Sequence, residues 1–186
     1  MTGDGGSPAT RSTSRRHWLW ILGVAVVVFD IAIVVLDQRM RATGGPTSLG
    51  FEFAGSRARA AQIMAEWGSK GRDAARLSLW LDYGFLLSYG AFFTLAGLLT
   101  RDAARTHGWR RLAIAGVVVP FFAAAAAIFD ASEDVALLLT LGGHGGSFAP
   151  PFAAVCSAIK FTLITLAILY VLCGLARWSG QRLRPT

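Results

Sequence analysis

Seven ionisable side chains lie inside stretches that are otherwise almost wholly apolar: Asp30, Asp37, Asp82, Asp130, Glu133, Asp134 and Lys160. Each costs about 2.5–3.5 kcal/mol to place at the centre of a membrane helix, so each needs a partner or a task. Asp130, Glu133 and Asp134 stand at i, i+3 and i+4, which puts all three on one side of a helix. Asp30 and Asp37 are one heptad apart and share a face, as do Asp82 and Tyr89. Ser157 precedes Lys160 by about one turn. Six carboxylates thus face one ammonium. Full ionisation in a dry interior is prohibitive, so the surplus must be protonated, hydrated or matched by a cation. Lys160 is expected to pair with the Asp130/Glu133 face or with Asp82.

The chemistry open to such a set is narrow. Zinc and di-iron centres recruit histidine or cysteine, and His17, His107 and His144 all fall at span ends or in loops. No transition metal and no cofactor is expected. Carboxylates alone suit protons or a hard cation. Lysine among carboxylates also suits a zwitterionic lipid headgroup, or acid/base chemistry. The candidate binding set is Asp30, Asp82, Tyr89, Asp130, Glu133, Asp134 and Lys160. The plainer alternative is a network that only holds helices in register.

These residues must be positioned by membrane helices. Of 186 residues, 54% are hydrophobic and only 16% charged, against roughly 25% charged in a soluble domain. A soluble protein of this size could not cover its surface with so few charges. Four apolar stretches reach the about 20 residues a bilayer requires: about 18–37, 77–100, 112–141 and 151–177. They are too long for barrel strands and lack alternation, so the expected fold is an all-α four-helix transmembrane bundle. Residues 1–17, rich in Gly, Ser and Thr up to position 14, are expected as a disordered cytoplasmic tail, and 178–186 as a second tail. The net charge of +7 is read as arginine anchoring cytoplasmic loops, not as a nucleic-acid surface.

Arg11, Arg15 and Arg16, then Arg101, Arg105, Arg110 and Arg111, then Arg177, Arg182 and Arg184 place both termini and the second loop in the cytoplasm of the cell. The first loop holds seven Lys/Arg and would lie outside, which long segments tolerate. In this arrangement every ionisable span position falls in the extracytoplasmic half. Ser14-Arg15-Arg16-His17-Trp18-Leu19 also resembles a twin-arginine signal, but its apolar stretch is long, contains Asp30 and leads to no clear cleavage site.

In the first loop, Leu49-Gly50-Phe51-Glu52-Phe53 alternates briefly and reads as extended. Ser56 is an N-cap candidate. Ala60, Ile63, Met64 and Trp67 recur at helical spacing, giving a short amphipathic helix that lies on lipid near Trp80 or caps the bundle. Gly68 and Gly71 interrupt it. Ala123 to Ala127 permits close helix approach, and Pro120 is expected to kink the third span. Cys156 and Cys173 are about 25 Å apart along one helix, too far to bridge.

Phe51-Glu52-Phe53-Ala54-Gly55-Ser56, Ile63-Met64-Ala65-Glu66-Trp67-Gly68, Leu81-Asp82-Tyr83-Gly84-Phe85 and Asp130-Ala131-Ser132-Glu133-Asp134 together resemble a family of small uncharacterised four-span bacterial membrane proteins. The resemblance covers most of residues 18–177 and implies the inner membrane, four spans and an Asp-x-x-Glu-Asn-like stretch in the third. Here Asp134 stands where that family tends towards Asn. No activity comes with the resemblance.

Three functions compete. The first is binding or movement of a small amphipathic molecule, a lipid headgroup or a cation at the polar layer. The second is an enzyme using Asp82, Glu133 and Lys160 on a lipid-like substrate. The third is an accessory subunit of a larger complex. Membrane lipids are the expected partners, and a transport path through so narrow a bundle calls for a homo-oligomer.

Overall fold

The structure is a computed structural model that describes residues 8–182, with side chains described for 14–181. It is 86% helical, with no strand among the described residues, as the sequence requires. The order is α1 (Pro8–Arg41), α2 (Ser48–Glu52), α3 (Arg57–Thr106), α4 (Arg110–Ala115), α5 (Pro120–Leu141) and α6 (Ala149–Arg182). Four stretches are long and apolar enough to cross a membrane: Ser14–Arg41, Arg57–Thr106, Arg110–Leu141 and Ala149–Gln181. This is a polytopic membrane protein built as a four-helix bundle.

Several boundaries differ from expectation. Residues 8–17, expected in the tail, continue α1, and α6 runs on to Arg182. Residues 1–7 and 183–186 of the two tails lie outside the described residues. The third span is two helices. Its chain turns through Gly116–Val119, where Val117 N–H bonds to Ile114 O and Val118 N–H to Ala115 O. Pro120 therefore opens α5 instead of kinking a continuous helix, since a proline in the first turn sacrifices no hydrogen bond.

The bundle's tight part is α3, α5 and α6. Alanines 123 and 126 are fully buried, and a Cβ added to Gly97 would sit 2.9 Å from Pro120 Cβ, so small residues bring α3 and α5 together. In contrast α1 packs on α3 and makes no comparable contact with α5 or α6. Its Val24, Val27, Val28 and Ile31 stay exposed, a surface suited to lipid.

The first loop packs onto the bundle. Its alternating segment is helical, not extended: α2 is one turn with Phe51 buried inward and Leu49 and Phe53 outward. Ser56 caps α3, its Oγ accepting from Arg59 N–H at 3.2 Å. The opening segment of α3 buries Ala60, Ile63 and Trp67 against Leu36, Met40, Phe51 and Leu137, so it caps the bundle and does not lie on lipid. Trp67 Nε1 donates to Pro46 O at 2.7 Å, whereas Trp80 stays exposed. At Gly68 the chain takes φ 59°, ψ −159°, a region that essentially only glycine visits. That one residue bends the cap segment into the membrane helix, while Gly71 stays helical.

Candidate functional site

Lys160 is the centre of the polar layer. α6 carries it inward, 7% exposed, with Ser157 bonded back to Ala153 O one turn before it. Its Nζ donates to Asp130 Oδ1 at 2.6 Å and to Glu133 Oε1 at 3.0 Å. Glu52 Oε2, from α2, lies 3.4 Å away. Three carboxylates from two elements therefore share one ammonium. The sequence leads to Asp130 and Glu133 as partners, and Asp82 makes no ion pair with Lys160. Glu52 is the residue missed. It reads as a loop acid among arginines, and only the resemblance motif around Phe51-Glu52-Phe53 marks it.

Behind Lys160 the α5 face turns into α3. Tyr89 OH donates to Asp130 Oδ2 at 2.9 Å, so both oxygens of Asp130 are engaged. Asp82, Asp130 and Asp134 each place a carboxylate oxygen within 4.8 Å of the others. The i, i+3, i+4 set is buried throughout: Asp130 is 2%, Glu133 0% and Asp134 1% exposed. The two α1 acids behave differently. Asp37 Oδ1 accepts from Ser48 N–H at 3.0 Å. It thereby serves the first turn of α2, which lacks a side-chain cap of its own. Asp30 is exposed and stands apart from the Lys160 network.

Because α1 and α6 do not pack on one another, a cleft of about 350 Å³ separates them. Val26, Asp30 and Ile33 form one wall, and Phe161, Ile164 and Ile168 the other. The floor is α3, with Asp82, Phe85, Tyr89 and Phe93, while Glu52 closes the end and Asp130 and Lys160 lie at the deep side. Four carboxylates and one ammonium line it, the ammonium already engaged. The lining holds three more carboxylates than ammonium groups, so whatever ionisation it keeps favours positive groups. Volume and mostly apolar walls match a small-molecule site. The structure thus brings together every candidate residue except Asp30, which joins only as part of the cleft wall.

No family model, curated protein or solved structure matches this chain. Any function must be argued from the cleft and the network beneath it.

Proposed function

We propose that this protein, with both termini in the cytoplasm, binds an amphipathic molecule with a positively charged head, taken from the outer leaflet of the cell membrane. The observation that carries this reading is the lining of the α1–α6 cleft: a surplus of carboxylates at the deep end and apolar side chains along the walls. The head rests on Asp30, Glu52 and Asp82, and the tail leaves between α1 and α6 into lipid. An anionic head is disfavoured, because Lys160 is already shared among Asp130, Glu133 and Glu52.

Equilibrium binding of radiolabelled tetraphenylphosphonium to the purified chain in maltoside detergent tests the reading. Saturable binding is expected, weakened about tenfold by Asp82→Asn, the equivalent of one lost contact of about 1.4 kcal/mol. Equal displacement of the label by decyl sulfate and by decyltrimethylammonium would sink it. The orientation has its own test. Cysteines at the exposed positions Ala58 and Ser147 should react with impermeant maleimide in whole cells, and one at Thr106 should not. The opposite pattern places the layer in the inner leaflet.

A further inference from the structure

We propose that Asp82, Asp130 and Asp134 together hold one hard divalent cation of calcium size, in a site at the floor of the cleft that shares Asp82 and Asp130 with its lining. The three carboxylates come from two helices and present oxygens within 4.8 Å of one another. Asp134 is 1% exposed, yet its Oδ2 is buried with no hydrogen-bond partner. A buried carboxylate oxygen left unpaired is expensive unless something positive stands beside it. Lys160 does not serve it: that ammonium is spent on Asp130, Glu133 and Glu52.

The donor set narrows the choice of ion. Oxygen donors without histidine or thiolate exclude soft preference and suit calcium, magnesium or their like. Oxygens within 4.8 Å of one another can converge on either ion, and calcium is favoured because it tolerates irregular geometry and sheds water more readily. Tyr89 and Lys160 each bond one oxygen of Asp130, which fixes the carboxylate while each oxygen keeps a further lone pair for the ion. A divalent ion here draws on Asp82 and leaves Asp30, on the cleft wall, as the carboxylate that attracts a positive head.

The test uses the full chain, stripped with chelator and dialysed against radioactive calcium. One calcium per chain is expected, with magnesium competing at least tenfold less well, and a rise in thermal midpoint on adding calcium. Asp134→Asn, which does not line the cleft, should weaken calcium at least tenfold while tetraphenylphosphonium binding persists. Glu66→Gln, on the cap segment, should leave calcium unchanged. Should Asp134→Asn fail to fold, Asp82→Asn, at the less buried corner, carries the same expectation for calcium. Absence of stoichiometric calcium on the folded wild-type chain overturns the proposal, and so does wild-type affinity in the Asp82 and Asp134 variants. Equal affinity for magnesium overturns the choice of ion. Calcium binding without tetraphenylphosphonium binding defeats only the cleft reading.

Discussion

Helices α1 and α6 are both 34 residues long and apolar, and each carries ionisable side chains within its span. Their fates are opposite. Lys160 of α6 is drawn into contact with three carboxylates, while Asp30 of α1 remains at an open cleft wall. The difference lies in what each helix packs against. Helix α6 lies along α5, whose acids are already aligned on one side, and against α3. Helix α1 packs mainly on α3, and among the described residues Asp30 makes no ion pair across the cleft. An ionisable residue in a span joins a network only where a second helix brings an opposite charge to the same depth. Elsewhere, as at Asp30, it stays at the wall of a groove.

The comparison breaks most readily at Lys160. Lys160→Met leaves Asp130, Glu133 and Glu52 uncompensated and should cost about 3–5 kcal/mol of stability in detergent unfolding. Pairing it with Asp130→Asn should recover part of that loss, and the recovery measures their coupling. Zero coupling in the cycles with Asp130, Glu133 and Glu52 would mean that α6 is no more networked than α1. Tyr89→Phe, which strips the donor from Asp130 Oδ2, should cost about 1–3 kcal/mol, since it leaves a buried acceptor with one partner fewer. On the other helix, Asp37→Ala removes the acceptor for Ser48 N–H. It should cost about 1 kcal/mol, the usual worth of a cap, and loosen α2 in hydrogen exchange. Smallest of all, Asp30→Asn should change stability by no more than about 0.5 kcal/mol while weakening tetraphenylphosphonium binding. A large stability loss at Asp30 would erase the contrast between the helices.

Much of this was legible in the sequence for a definite reason. Span length and hydropathy report directly on the solvent a helix needs, so the four crossings and their order could be read. Helical spacing likewise fixes the common face of Asp130, Glu133 and Asp134, whatever surrounds it. The first loop was less transparent. Leu49, Phe51 and Phe53 alternate as a strand would, but one helical turn also sends Phe51 opposite to Leu49 and Phe53. Five residues cannot distinguish the two. What decides is the hollow that Trp67, Ile63 and Leu137 make for Phe51, and that hollow exists only once distant segments have met. Glu52 follows Phe51 inward, so its place at Lys160 was invisible for the same reason. The division of the third span at Gly116–Val119 was hidden too, because the segment keeps its apolar character through the break.

The short connection from Gly142 to Phe148 bears on how the chain enters the bilayer at all. On its own, α5 presents Asp130, Glu133 and Asp134 to lipid, and the insertion cost of three central acids, about 2.5–3.5 kcal/mol each, cancels much of its apolar gain. The compensating ammonium is on α6, synthesised later but only seven linking residues away. Helix α5 is thus expected to insert poorly by itself, and the seven-residue link lets it enter the bilayer with α6 as a hairpin whose charges are already matched.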